Sequence, residues 1–267
     1  MKYVVMFSGG ICSWAAAQRV VAQYGAENVI CLFCDVKGDN PNPHVGEDED
    51  TYRFIDDAIA QLGCEYVRLA DGRDIWQIFR ERRYLGNSRI APCSHILKQQ
   101  PAWRWLKTNT TSDTHTIVIG IDWSEIHRVA VIQKAYKPWN TLFPMCEEPY
   151  LSKHEMIDWA NSLGVKPPRL YSFGFAHNNC GGGCVKAGQA QFRQLLELMP
   201  ERYDVWEKGE EDMRQFLDKD VSMLKQMKNG VITPLTLNEL RKRTPKQLDM
   251  LDFGGCGCFV DGFSMDD

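Results

Sequence analysis

The stretch FSGGICS, at residues 7–13, lies between a short hydrophobic run and an alanine-rich segment. The run KYVVMF at 2–7 predicts a buried strand. The segment WAAAQRVVAQY at 14–24 predicts a helix that ends at Gly25. FSGGICS is therefore the turn between a first strand and a first helix.

Such a turn places unpaired main-chain N–H groups at the helix N-terminus, where the helix dipole favours negative charge. Gly9 and Gly10 allow the main chain to approach an anion closely, and Ser8 and Ser13 add hydroxyl donors. The turn therefore predicts a phosphate or pyrophosphate site, with a serine-capped tight turn as the alternative. It matches neither GxxxxGK[ST] nor GxGxxG.

Strand and helix patterns alternate through the first half of the chain. Further strands are predicted at 27–35, 64–71 and 115–122, and further helices at 48–63, 74–86 and 94–107. This alternation predicts an α/β fold, a parallel sheet with helices on both faces. Ligands of such sheets bind beyond the carboxyl ends of the strands, so we expect FSGGICS, Asp35 and the GIDW segment at 120–123 to converge on one crevice.

After about residue 150 the alternation stops. SKHEMIDWANSLG at 152–164 predicts a helix, and two further helical patterns follow a loop-like aromatic stretch that ends in HNNCGGGC. We therefore expect a nucleotide-binding domain at 1–150 and a smaller, mostly helical, cysteine-bearing region at 151–267.

Composition narrows the class of protein. The 267 residues are 44% hydrophobic, and the net charge of −4 argues against a protein coated in positive charge, although a local basic patch is compatible with it. The N-terminal apolar run is too short for a secretory signal, and no run approaches the roughly 20 residues that a membrane helix needs. We expect a soluble, cytoplasmic protein without a membrane partner.

Three motifs carry a family resemblance. Ser8–Ser13 resembles the SGGxDS signature of the PP-loop ATP pyrophosphatases, with Cys12 where the family usually has Asp. PCSHILKQQP at 92–101 and GIDWSEIHR at 120–128 resemble segments of the phosphoadenosine-phosphosulfate reductase-like branch, with Asp122 where an Arg is common. The resemblance implies an adenine-nucleotide α-hydrolase-like sheet that binds ATP or an adenylylsulfate-type nucleotide.

The resemblance and the chemistry of the side chains together suggest roles. Phosphate contacts are expected from Ser8, Gly9, Gly10 and Ser13. Asp35 is placed to meet ribose, adenine or Mg²⁺, with a capping role as the alternative. Lys98 and Arg128 are candidate phosphate clamps in the reaction, and Gly120 is expected to let the main chain approach the nucleotide. With ATP bound, Mg²⁺ is expected across the phosphates.

Two charged runs allow two interpretations each. The acidic run GEDEDT at 46–51 favours compensation of a helix N-terminus over a metal site. RERRYLGNSR at 80–89 carries four arginines, which fit either an exposed helix face or a surface that receives sulfate, phosphate or a nucleic-acid backbone.

Four of the ten cysteines form glycine-rich pairs, Cys180 with Cys184 and Cys256 with Cys258. The resemblance implies an iron–sulfur cluster held by Cys93, by the first pair and by one thiol of the second pair, whose other thiol would be reactive. Zinc and separate unliganded thiols are the alternatives.

Three functions follow from these features. The first is an enzyme that cleaves ATP to AMP and pyrophosphate and adenylylates an acceptor for sulfur transfer. The second is a sulfonucleotide reductase in which the Cys256 or Cys258 thiolate attacks the sulfur. The third is a non-catalytic nucleotide-binding subunit with a structural metal. A nucleic-acid base or a small molecule could be the acceptor, and a sulfur donor or reductant protein could be a partner. The oligomeric state is open.

Overall fold

The computed structural model describes residues 1–244. Its central sheet has five parallel strands in the order β3-β2-β1-β4-β5. These strands are β1 (Lys2–Met6), β2 (Val29–Asp35), β3 (Glu65–Ala70), β4 (His115–Val118) and β5 (Asn140–Leu142). The predicted α/β fold is confirmed, and the three-residue β5 is an addition to it.

Ten α-helices accompany the strands in residues 1–244. They are α1 (Ile11–Tyr24), α2 (Glu49–Leu62), α3 (Ile75–Arg82), α4 (Gln100–Asn109), α5 (Val129–Ala135), α6 (Lys153–Ser162), α7 (Arg169–Ser172), α8 (Gln189–Leu198), α9 (Pro200–Leu217) and α10 (Leu237–Arg241). No helix among these residues is both long and apolar enough to cross a bilayer.

Two predicted helices differ from the observed ones. The helix expected at 74–86 ends at Arg82, because its C-cap residue Arg83 adopts a left-handed conformation with φ of 48°. The helix expected at 94–107 begins as a π-helical turn, Ser94–Gln99, and continues as α4. Pro101 lies in the first turn of α4, where its missing N–H group is not needed.

The sheet is covered on both faces, which explains its unbroken hydrophobic strands. Every residue of β2 is buried; Cys31 and Phe33 pack towards α1 and α2, and Leu32 and Cys34 pack towards α4. The chain runs from β1 outward to β3 and then returns to the other side of β1 as β4. The topological switch point therefore lies between β1 and β4.

Helix α6 belongs to the same apolar layer as α1. Met156 and Ala160 are fully buried in the cluster that contains Trp14, and the rings of Trp14 and Trp159 meet edge to face at 5.2 Å. The sheet thus draws part of its cover from beyond residue 150. The division into domains at 150 stays a prediction.

The later helices pack into a second apolar cluster, in which Phe192, Tyr203 and Trp206 meet Phe79 of α3. An antiparallel hairpin, β6 (Leu224–Lys228) with β7 (Val231–Leu235), adds to this mostly helical region. Its turn residues Asn229 and Gly230 have φ of 52° and 77°. The Asn-Gly pair is a strong hairpin signal that the sequence interpretation did not use.

Glu47 and Asp48, here called the acidic turn, precede α2 and are each only 1% exposed. Asp48 caps α2, since its side chain accepts a hydrogen bond from the Asp50 N–H at 3.1 Å. This confirms the expected compensation of a helix N-terminus. Arg169 also binds Asp48, since its Nε donates to Oδ1 and its Nη2 donates to Oδ2, both at 2.8 Å.

Arg202 of α9 is the second cation at Asp48, with Nη2 at 3.5 Å from Oδ2. It is 2% exposed and also donates to the main-chain carbonyls of Pro43, His44 and Gly46 at 3.0–3.2 Å. Burial lowers the pKa of Arg202, and the Asp48 carboxylate opposes that shift. The C-terminal helices are therefore joined to the sheet through a buried polar contact.

We expect Arg202→Met to lower the free energy of unfolding by about 3–5 kcal/mol, because it leaves buried carbonyls and part of a buried carboxylate without donors. Arg193→Met is the matched control, since Arg193 pairs with the exposed Glu197 on the surface and should cost less than about 1 kcal/mol. Urea unfolding of both variants measures the difference. Equal losses would show that the Arg202 contact does not stabilise the fold.

Candidate functional site

The glycine turn, residues 7–10, joins β1 to α1 at the switch point of the sheet. Gly9 has φ of 75°, a conformation that favours glycine, and Gly10 is the extended N-cap residue of α1 without a side-chain cap. Ser13 holds the turn, because its Oγ accepts from the Ser8 N–H at 3.2 Å and donates to the Gly10 carbonyl at 2.8 Å.

Main-chain donors collect at this turn. Within residues 1–244, the N–H groups of Gly9, Gly10, Cys12 and Ser13 donate no hydrogen bond. The Ile11 N–H donates to the Tyr171 hydroxyl at 3.0 Å. Unpaired N–H groups at the start of a 14-residue helix carry the positive end of its dipole, so the turn can attract an anion.

Two side chains from the later part of the chain cover the turn. Tyr171 lies against Gly10, where an added Cβ would be 3.2 Å from its hydroxyl. Asn178 is 2% exposed, and its Nδ2 donates to the Gly9 carbonyl at 2.9 Å and to Thr51 at 3.0 Å. Sequence reasoning missed both residues: Tyr171 lies in the short helix α7, 160 positions from its partner, and Asn178 belongs to the HNNCGGGC stretch, which was interpreted only for its cysteines.

The GIDW segment also meets the turn. A Cβ on Gly120 would lie 2.6 Å from the Ser13 Cα, so only glycine allows β4 to end this close to α1. The Cys12 thiol lies 3.9 Å from Asp122 Oδ2. The structure thus brings two of the three expected segments together, and it gives Gly120 a packing role. Its expected approach to a nucleotide stays a prediction.

Cys12 is held as a neutral thiol. Burial raises its pKa to about 12; Lys153 opposes that rise, and the nearby Asp122 and Glu125 carboxylates add to it. A thiol with this pKa is protonated at neutral pH and is a poor nucleophile. The carboxylate that lies next to Cys12 belongs to Asp122, on the neighbouring loop.

Asp35 ends β2 at the same edge of the sheet but contacts the β3 side. Its Oδ1 accepts from the Tyr52 hydroxyl at 2.8 Å and from the Lys37 N–H at 3.0 Å, and its Oδ2 pairs with Arg68 at 2.5 Å. Burial, followed by the Asp35 carboxylate, raises the pKa of Tyr52. These contacts fit the alternative role of Asp35 as a capping residue. A role of Asp35 in binding the nucleotide or Mg²⁺ stays a prediction.

Lys98 and Arg128 both have carboxylate partners. Lys98 is 3% exposed, and its Nζ lies 3.1 Å from Glu47 Oε1, while Glu47 Oε2 accepts from the Cys180 N–H at 2.5 Å. Arg128 pairs with Glu125 on a short 3₁₀ helix. Lys98 is therefore placed beside the cysteine loop, and the expected phosphate contacts of both cations stay predictions.

In the cysteine loop, Cys180–Cys184, close packing explains each of the three glycines. A Cβ on Gly181, Gly182 or Gly183 would lie within 2.9 Å of Arg202, Phe175 or Trp206 respectively. The main chain of this loop therefore passes directly over large buried side chains. The glycines bring the two cysteines into the C-terminal apolar cluster.

Three candidate ligand thiols share that cluster, since Cys180 and Cys184 are buried in it and Cys93 packs against it. In the part of the chain that the structure describes, no three His, Cys, Asp or Glu side chains form a group that could hold a metal ion. Cys256 and Cys258 lie outside the described residues. An iron–sulfur cluster or zinc bound by these thiols stays a prediction.

Similarity to known proteins is found among solved structures. No family model matches the chain, and no curated protein matches it. Among solved structures, it is similar to the phosphoadenylyl-sulfate (PAPS) reductase from Candida auris in its phosphate complex. The two share 12% identity over 64% of this chain and 78% of that chain, with a TM-score of 0.43.

A similarity at this identity and TM-score assigns no role to any residue of this chain. The α/β fold stands on the sheet topology itself.

We expect Gly120→Ala to lower the free energy of unfolding by about 1–3 kcal/mol, because the added methyl group meets the main chain of Ser13, which no rotamer change can relieve. Gly10→Ala is the control, since Gly10 has φ of −102°, which alanine adopts freely, and its nearest contacts are at 3.2 and 3.5 Å. Thermal or urea unfolding compares them. A neutral Gly120→Ala would contradict this close packing.

We expect Lys98→Met to cost about 3–5 kcal/mol of stability, because it removes a cation that lies 3.1 Å from the buried Glu47 carboxylate. The double variant Lys98→Met/Glu47→Gln should lose less than Lys98→Met alone, because it also removes the buried negative charge but keeps an acceptor for the Cys180 N–H. A double-mutant cycle in urea tests the pair. Additive losses would mean that the two side chains do not interact.

Proposed function

We propose that this chain is a PP-loop enzyme of the phosphoadenosine-phosphosulfate reductase-like family that binds ATP at the glycine turn. It cleaves ATP between the α- and β-phosphates and transfers AMP to an acceptor, in preparation for sulfur transfer. The observation that carries the proposal is the meeting of the glycine turn with GIDW at the β1/β4 switch point, where several main-chain N–H groups have no partner among residues 1–244.

The turn suits the charge that develops in this reaction. An acceptor oxygen attacks the α-phosphorus, the bond to the bridging oxygen breaks, and pyrophosphate leaves with the negative charge. Fixed N–H donors on Gly9, Gly10, Cys12 and Ser13 can stabilise that charge without reorganisation. The Ser8 hydroxyl donates to Ser13 Oγ at 3.2 Å and so helps to fix the shape of the turn.

Asp122 is the better-placed carboxylate for Mg²⁺. Its Oδ2 has only the Cys12 thiol beside it within residues 1–244, whereas both oxygens of Asp35 are engaged by Tyr52, Lys37 and Arg68. Carboxylate and phosphate oxygens are the ligands that Mg²⁺ prefers. When bound, Mg²⁺ would neutralise charge on the departing pyrophosphate. Asp122 thereby substitutes for the acid that the family signature carries at position 12.

The cysteine loop supports the sulfur-transfer part of the proposal. Asn178 bonds to the Gly9 carbonyl, and Glu47 links the Cys180 N–H to Lys98, so the thiol-bearing loop is attached to the nucleotide turn. We propose that Cys93, Cys180 and Cys184, with a thiol of Cys256 or Cys258, hold an iron–sulfur cluster or, as the alternative, zinc.

The same attachment favours a second candidate, a sulfonucleotide reductase. In that reaction the Cys256 or Cys258 thiolate attacks the sulfur of adenylylsulfate or its 3′-phosphorylated form, the S–O bond breaks, and AMP or its phosphorylated analogue leaves. S-sulfocysteine remains on the protein until a second thiol, such as that of a reductant protein, attacks the cysteine sulfur, so that a disulfide forms and sulfite leaves. Release of pyrophosphate from ATP supports the first function and release of sulfite the second, and a nucleotide-binding subunit would release neither.

We expect Gly10→Ala to weaken ATP–Mg²⁺ binding at least tenfold, about 1.4 kcal/mol, because its methyl group enters the turn where phosphate would lie. Ser8→Ala should weaken binding a few fold, because it removes the hydroxyl that donates to Ser13 Oγ and helps to fix the turn. Isothermal titration calorimetry measures both, with Gly164→Ala as a control in open space away from the turn. Unchanged affinity in Gly10→Ala, with its fold intact, would overturn the site assignment.

A further inference from the structure

The last turn of α3 exposes three arginines, Arg80, Arg82 and Arg83, here called the arginine cluster. The Cζ atoms of Arg80 and Arg83 lie 5.2 and 5.1 Å from the centre of the Phe216 ring, on α9. One aromatic ring thus holds two guanidinium groups at a fixed place on the surface.

The arginine cluster has no carboxylate partner within residues 1–244. Glu81, the acid in the middle of it, pairs instead with Arg73. By contrast, Arg53 and Arg241, elsewhere in the chain, each contact two carboxylates. The helix C-terminus favours cations in its last turn, but this does not explain two guanidinium groups on one ring. Like charges held together without an acid suit an anionic ligand.

The chain after the cluster leads to the cysteine loop. Gly86 packs against Val185, the residue after Cys184, since a Cβ on Gly86 would lie 3.3 Å from it. Asn87 then forms a turn by accepting from the Arg89 N–H at 2.9 Å, which adds a fourth exposed arginine four residues before Cys93. The positive surface therefore borders the thiol-bearing part of the proposed site.

We propose that the arginine cluster binds the phosphodiester backbone of a nucleic acid, and that this nucleic acid carries the acceptor. The second part rests on the proposed function. Guanidinium groups bind phosphates through paired N–H donors, and a repeated phosphate spacing can engage several of them at once. With a net charge of −4 on the whole chain, the attraction is local, so binding should depend strongly on salt.

Fluorescence anisotropy with labelled 20-nucleotide RNA and DNA tests the binding surface on the full chain. Three neutralised phosphates predict a slope of log affinity against log salt of about −2 for single strands, from about −0.7 for each contact. Arg80→Gln/Arg83→Gln should weaken binding at least tenfold and bring the slope to about −0.7. The RNA and DNA arms identify which polymer is the ligand.

The matched control is Arg104→Gln/Lys107→Gln, which removes two exposed charges at the same i, i+3 spacing from α4 and should leave affinity within twofold. Phe216→Leu keeps every charge but removes the ring, and it should weaken binding a few fold. Arg82→Glu changes an exposed side chain alone, so it tests the surface even where the double variant does not fold.

Equal losses in the two double variants, or no salt-dependent binding of either polymer, would overturn the proposal. Binding to anionic lipid vesicles in place of nucleic acid would overturn it as well. ATP affinity, measured by calorimetry, should not change in Arg80→Gln/Arg83→Gln. Arginine-dependent binding of nucleic acid by a chain that binds no ATP would keep the surface and reject only the proposed function.

Discussion

The buried acidic turn is the constraint on which the rest of the structure depends. Glu47 and Asp48 are almost fully removed from water, and a carboxylate in such a place needs cations or N–H donors to offset its lost hydration. Those partners come from distant parts of the chain, as Lys98, Arg169 and Arg202. Satisfying two adjacent charges therefore draws the π-helical turn, α7 and α9 onto the edge of the sheet.

This arrangement makes one site out of two sequence features that are about 170 residues apart. Glu47 connects Lys98 to the Cys180 N–H, and Asn178 connects the same loop to the Gly9 carbonyl. The glycine turn offers main-chain donors, and Asn178, two residues before the cysteine loop, binds the carbonyl of its Gly9. Under the proposed function, a phosphate at the turn would therefore lie on the side of the sheet that this segment approaches.

Much of the fold could be predicted, because strand and helix periods are local properties of the chain. The alternation up to residue 122 indicated the parallel sheet, and the glycine turn was recognised as the link from β1 to α1. β5 has only three residues and therefore no readable period, and the π-helical turn at Ser94–Gln99 is a departure from the helical pattern that periodicity does not distinguish. The hairpin at Asn229-Gly230 carried a signal that could have been used.

Only part of the candidate site could be predicted from the sequence. Residue types and spacing determined which groups could bind an anion or a metal: Ser8 to Ser13 at the helix start, and the glycine-flanked cysteines. Only the tertiary structure decided that Asp35 pairs with Arg68 and that Asp122 lies next to Cys12. It also decided that Tyr171 and Asn178 contact the glycine turn. The physical reason is that a side chain's hydrogen-bonding partner is set by which buried charges and donors must be satisfied together, and that is a property of the packed chain rather than of any local segment.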